Sequence, residues 1–206
     1  MLRRQFRYRI ALCLLALMSA RISIAGDVLQ ALVRHQDDHY LLHLDMRIQA
    51  KRATVYRILT DFPHLPKVNA SIKSAQALSH KGHVYRVRLV SEGCVWIFCR
   101  RVKEVDDVTL QDAEYIMLVA EPAHSDLRYG RALWQLIDEG KTTRIKYNAD
   151  FVPGFWVPPL IGPALLKHVL LKQGLKTLNG IEHLAQHHRR LAGAGPAGLV
   201  RSTRAP

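Results

Sequence analysis

The chain has 206 residues, with 30 Lys+Arg against 17 Asp+Glu for a formal charge of +13, and only three cysteines. So basic a chain invites a nucleic-acid reading, but it holds no helix-turn-helix, zinc-finger or aromatic-and-basic RNA-binding run, so no nucleic-acid partner is expected. The cations are scattered through strand-like segments, from Arg86 and Arg88 to Arg144 and Lys146. Solvent faces of a sheet account for most of them, and anionic phospholipid surfaces are the remaining partner the charge favours.

The first elements decide the compartment. Arg3, Arg4, Arg7 and Arg9 precede an apolar run, Ile10 to Ala20, and Ser23-Ile24-Ala25 places small residues before Gly26. That order is a secretory signal peptide over residues 1–25, cleaved near Ala25, and a periplasmic or secreted protein is expected. The run is shorter than the ~20 residues a membrane-spanning helix needs. Cys13 lies inside it without a small residue before it, so no lipid attachment is read there. Removing the segment takes five arginines and no acid, leaving 25 Lys+Arg against 17 Asp+Glu, a charge of +8.

Residues 26–38 read as a polar lead-in. Tyr40, Leu42, Leu44, Met46 and Ile48 then alternate as a first strand, and Lys51 to Asp61 reads as a short helix stopped by Pro63 and Pro66, leaving a second short helix or turn to Asn69. Strand-like runs follow over 72–79, 83–92, 95–105, 109–120, 125–138 and 142–151. Lys81-Gly82, Glu92-Gly93, Asp106-Asp107 and Glu139-Gly140 are read as the hairpin turns between them. Next comes a proline-locked apolar crossing with Phe151, Phe155, Trp156, Val157, Leu160 and Ile161. Leu166, Val169, Leu170, Leu178, Ile181, Leu184 and Ala185 then recur at helical spacing to about Arg190. The Gly- and Ala-rich tail, 191–206, is aperiodic and expected to be disordered. One domain over 39–190 of α+β class results, with one antiparallel sheet of about seven strands, two short helices after the first strand and a long closing helix.

Several stretches resemble the helix-grip fold of the START superfamily, also called SRPBCC. Arg52-Ala-Thr-Val-Tyr-Arg-Ile-Leu-Thr-Asp-Phe-Pro-His-Leu-Pro66 is similar to the first-helix pattern of its polyketide-cyclase and coenzyme-Q-binding branch. Gly130-Arg-Ala-Leu-Trp-Gln-Leu with Gly140-Lys-Thr-Thr-Arg-Ile-Lys-Tyr147 resembles its penultimate hairpin, and Gly180-Ile-Glu-His-Leu-Ala185 the end of its closing helix. The resemblance covers about 38–188. It implies a sheet wrapped around the last helix and an apolar ligand (lipid, quinone, sterol or polyketide) between them, with only some members being enzymes.

Candidate ligand-binding residues come from the inward strand faces and the crossing: Tyr85, Trp96, Phe98, Trp134, Tyr147, Phe151, Phe155 and Trp156. Aromatic bodies with polar tips suit a partly wet pocket, and they suit a filled core as well. The crossing reads as a plug under the helix or, alternatively, as a rim that opens. Metal and catalytic sets are weak. His35-Gln-Asp-Asp-His39 has ligand types in a polar segment and is read as solvated. His168 is read as surface, His187-His188 as complements to a helix end, and Asp106-Asp107 as a turn. Asp126 and Arg128 share a strand face beside Trp134 as a candidate ion pair, the first target if the protein is an enzyme. No nucleophile elbow or phosphate loop occurs, so no metal, cofactor or catalytic set is assigned.

Cys94 and Cys99 remain in the mature chain, an even number that permits one disulfide. On a continuous strand they would lie ~17 Å apart, so free thiols are expected unless the chain bends beside Gly93. The sequence thus points to an exported, non-enzymatic carrier of an apolar molecule, with a cyclase- or dehydratase-like enzyme as the alternative.

Overall fold

The structure, a computed structural model, describes residues 26–95, 98–157 and 162–193, and the side chains of all of these except 95, 98, 162, 163 and 188–193. Eight strands form one antiparallel sheet: β1 (Asp27–Gln36), β2 (His39–Ile48), β3 (Ile72–Lys81), β4 (Val84–Val95), β5 (Phe98–Gln111), β6 (Tyr115–Ala120), β7 (Leu127–Glu139) and β8 (Thr142–Pro153). Their order is β1-β2-β8-β7-β6-β5-β4-β3, every neighbour antiparallel. Helices α1 (Arg52–Thr60) and α2 (Leu65–Val68) follow β2, joined by a 3-10 turn at Phe62–His64, and α3 (Gly162–Gly193) closes the chain. Among the described residues no helix is long and apolar enough to cross a membrane.

Alternation fixes which face is which. Tyr40, Leu42, Leu44, Met46 and Ile48 of β2 oppose Phe151, Ala149, Tyr147, Ile145 and Thr143 of β8, and these oppose Gly130, Ala132, Trp134, Leu136 and Asp138 of β7. Met46, Ile48, Leu136, Ile145 and Thr143 in this band are almost wholly buried. Val55, Ile58 and Leu59 of α1 and Leu178, Ile181 and Ala185 of α3 join them in one core. Helix α3 touches β1 and β2 near one edge of the sheet and β4 near the other, so the sheet curves around it in the helix-grip manner.

Two features seat α3 closely. A Cβ at Gly180 would overlap the Val68 backbone carbonyl, and one at Gly174 would meet a Leu44 methyl at 2.6 Å. Asn69, 5% exposed, then stitches the end of α2 to α3: its Nδ2 donates to Gln173 Oε1 at 3.2 Å and Thr177 Oγ1 at 3.0 Å, and its Oδ1 accepts from Ser71 N. The buried amide is thereby satisfied, without which it would oppose folding.

Several expectations are corrected. The lead-in 26–38 is an edge strand, β1, paired along its length with β2, which raises the strand count to eight. Its outward positions are polar or solvated, and only Val33 is buried, so it lacked the apolar alternation that marks an inner strand. Neither Glu92-Gly93 nor Asp106-Asp107 is a turn; both lie within strands. The β5–β6 turn uses Asp112 (φ 51°) and Ala113 (φ 53°) instead, a mirror-image turn without the glycine that usually announces one. Helix α3 runs to Gly193, into the segment read as tail.

The cysteines are the sharpest correction. Cys94 and Cys99 form a disulfide, S–S 2.05 Å, with Cα atoms 3.9 Å apart. The expectation of free thiols assumed one continuous strand, whereas a hairpin reverses the chain between them and sets Cys94 directly opposite Cys99 across β4–β5.

Candidate functional site

Between sheet and helix lies a cavity of about 170 Å³, walled by Leu42, Leu44 and Met46 of β2, Trp134 of β7, Tyr147 of β8, and Leu170, Gln173, Gly174 and Thr177 of α3. Its sheet wall is aliphatic on one side and aromatic on the other, with the Trp134 and Tyr147 rings 4.3 Å apart. Gly174 keeps the helix side open, since any side chain there would enter Leu44. A cavity of similar size, about 150 Å³, suffices to hold benzene.

The same inward face carries acids. Reading across from Tyr147 through Trp134, Ile116 and Leu110 reaches β5, whose residues 102, 104, 106, 108 and 110 lie on that same sheet face. Two of these are Glu104 and Asp106. Asp106 is 5% exposed. Glu104 is half-buried, and neither acid is among the residues that wall the 170 Å³ cavity; desolvation dominates the titration of Glu104. Burial, then the Asp106 and Asp126 charges, push Glu104 up to about 8. Burial and Asp107 push Asp106 up to about 6. Burial, helped by the Glu104 and Asp106 charges, pushes the Tyr147 phenol well above its ordinary value. Near neutral pH the carboxyl pair therefore holds about one proton.

At the β4–β5 hairpin end of the sheet the chain elements come together. The Arg100 guanidinium sits 4.1 Å over the Phe155 ring, joining β5 to the segment after β8. A Cβ on Gly93 would lie 3.5 Å from Val169, so β4 meets α3 beside the disulfide. Trp156 is 78% exposed, so it is no part of a plug: three residues past the end of β8, no described strand or helix covers it. Leu160 and Ile161 of the apolar crossing lie outside the described residues.

The sequence candidates thus separate. Trp134 and Tyr147 share the cavity wall; Phe155 is half-buried under Arg100, and Trp156 is exposed. Phe151 stacks on Tyr40 at 5.7 Å, above the cavity's apolar band. Tyr85 lies at the opposite end, against Phe62 and His80. Trp96 and the Phe98 side chain fall outside the described residues. Asp126 and Arg128 do not pair: Asp126 accepts from Lys103 N at 2.8 Å, and Arg128 donates to Asp38 at 2.8 Å on the exposed side. His39 bonds Asp150 at 2.7 Å and His35 packs on Tyr40. Among the described residues no three His, Cys, Asp or Glu converge to hold a metal.

Glu104 and Asp106 are not legible as a site in the sequence, where Asp106-Asp107 reads as a turn. The available signal was the row Val102, Glu104, Asp106, Val108, Leu110, an apolar strand face interrupted by two acids. A larger trough, about 830 Å³, lies on the outer face among Leu41, Met117, Val119, Tyr129 and Leu133. It is open and shallow, with the sheet between it and α3, so the enclosed interior is the better site.

The family model described as polyketide cyclase / dehydrase and lipid transport matches residues 48–173, well over half of the chain. No match was found among curated proteins. Among solved structures, the Zhui aromatase/cyclase from a Streptomyces species superposes with a TM-score of 0.65 at 15% identity, over 75% of this chain and 98% of that one. A START superfamily protein from Mycobacterium smegmatis gives 0.60 at 17%, over 72% and 98%. A STAR-related lipid transfer protein from Xanthomonas axonopodis gives 0.58 at 13%, over 79% and 99%. At these identities the likeness is one of fold.

Proposed function

The chain belongs to the polyketide cyclase / dehydrase and lipid transport family, and from that premise we propose that it is an exported carrier that holds an apolar small molecule, such as a lipid, quinone or sterol-like compound, between the sheet and α3. The observation that carries the reading is the cavity walled jointly by β2, β7, β8 and α3, apolar except for Tyr147, Gln173 and Thr177. Such a site removes a ligand's apolar surface from water at about 25 cal/mol per Å². Export is supported by the signal-like residues 1–25 and by the Cys94–Cys99 pair, since disulfides persist in oxidising compartments. Transient contact with an anionic membrane fits the exposed Trp156 next to Phe155 and Arg100. A second reading, a cyclase- or dehydratase-like enzyme in the same cavity, draws on Glu104, a carboxyl still protonated at neutral pH and so able to act as a general acid.

Titration of the purified protein with a fluorescent apolar probe tests the carrier reading. Binding at micromolar levels is expected, weakened in Trp134→Ala, whereas Trp156→Ala slows uptake and leaves stability within about 0.5 kcal/mol. Absence of binding to probe, lipid and quinone alike would refute it. Intact mass of the protein from its native host tests export: a mature chain starting at or near Gly26 is expected, and full-length chain in the cytosol would refute it.

A further inference from the structure

The interior carries negative charge that nothing in the described chain answers. Glu104 and Asp106 lie on the same sheet face as Trp134 and Tyr147, though not among the residues that wall the cavity, and neither forms a hydrogen bond or ion pair with another described residue. Asp106 is only 5% exposed, yet among the described residues no buried side-chain oxygen is sealed off without a partner, so its carboxylate oxygens keep some accessible surface. Other charges on these elements do not help. Asp107 and Asp126 add repulsion. Arg86 is spent on Asp107 at 2.8 and 2.9 Å and Arg144 on Asp45 at 2.8 and 2.6 Å, both on the outer face. Arg100 lies over Phe155. From the facing wall Tyr147, a cavity residue whose hydroxyl bonds no described group, feels both carboxylates.

We propose that Glu104 and Asp106, with the Tyr147 hydroxyl, form the polar end of the interior site and that this end selects an apolar ligand terminating in a protonated amine. The proposal rests on the carrier reading and deepens it by naming the ligand's head. An uncompensated buried charge costs several kcal/mol, and a cation that pairs with it recovers that cost. An ammonium brings three donors and no acceptor, matching two carboxylates and one hydroxyl oxygen, in charge-assisted bonds. A neutral carbonyl would leave the Asp106 charge unanswered, and a carboxylate or phosphate head would meet direct repulsion. Binding must also draw the proton from Glu104, since a cation beside it favours the ionised form.

Three probes of matched size separate the possibilities: 2-phenylethylamine, 2-phenylethanol and phenylacetate, titrated calorimetrically near neutral pH in two buffers of different ionisation enthalpy. The amine should bind at least about tenfold more tightly than the alcohol, and phenylacetate most weakly. Amine binding should release a proton, read as a buffer-dependent heat, and alcohol binding should release none. In the Glu104→Gln, Asp106→Asn double variant, its folding verified by thermal unfolding, the amine preference and the proton release should vanish together. Alcohol binding without an amine preference would overturn the inference and leave the carrier reading standing. Failure of all three probes would overturn the inference, while the carrier reading stands or falls on the separate titration with fluorescent probe, lipid and quinone. An amine preference that survives in the folded double variant would place recognition elsewhere and overturn the inference.

Discussion

Replacing Glu104 with Gln removes one ionisation from the interior while keeping the side chain's size, and its effect on stability can be worked out from the position of the group. Unfolded, Glu104 ionises near its ordinary 4.5; folded, it keeps its proton up to about 8. Below 4.5 both states are protonated and the group costs nothing. Above that, the folded state binds a proton the unfolded state has released, so stability falls by about 1.4 kcal/mol per pH unit. The loss is complete above the folded value and reaches about 5 kcal/mol, a large share of the ~5–15 kcal/mol that holds an ordinary domain together. Asp106 adds a smaller loss between its ordinary 3.8 and about 6. Urea unfolding of the disulfide-intact protein from pH 4.5 to 9 should therefore show the wild type weakening steadily toward alkaline pH. Glu104→Gln should stop weakening above about pH 6 and end several kcal/mol more stable at pH 9, with little difference at pH 4.5. Parallel curves for the two proteins would refute the reasoning, because they would mean that Glu104 is solvated in the folded state.

Gly180→Ala should lower the unfolding temperature, with a loss of about 1–3 kcal/mol from overpacking against the Val68 carbonyl, although on an exposed helix the same change would gain up to about 1 kcal/mol; an unchanged or raised temperature would show that α3 is seated less closely. Gly174→Ala should cost less, because the Leu44 methyl it meets can move. A thiol reagent should label Cys94 and Cys99 in the unfolded protein only after reduction, and reduction should cost about 2 kcal/mol, since the bond closes so short a loop; labelling without reduction would show free thiols.

How far the sequence reaches depends on whether the information is local. The helix-grip order was legible because each element carries its own period. Tyr40 to Ile48 alternate, Leu166 to Ala185 recur at helical spacing, and Lys81-Gly82 and Glu139-Gly140 mark real turns, with Gly82 and Gly140 at φ 57° and 79°. The cavity wall was partly legible for the same reason, since Trp134 and Tyr147 stand on inward positions of an antiparallel pair whose register follows from a short hairpin. What the tertiary structure alone decided concerns groups whose meaning lies in what surrounds them. Strand β1 shows little alternation of its own and is a strand because β2 offers it a ladder of hydrogen bonds. Cys94 and Cys99 are partners because the chain reverses between them, and Trp156 is exposed because no described element covers it. Asp106 and Asp107 are adjacent and chemically alike, yet one faces Arg86 across the outer surface and the other an interior that holds no described cation. A one-residue step along a strand turns a side chain through the sheet, so its neighbours, and with them its charge state, are set by the fold and not by the residue itself.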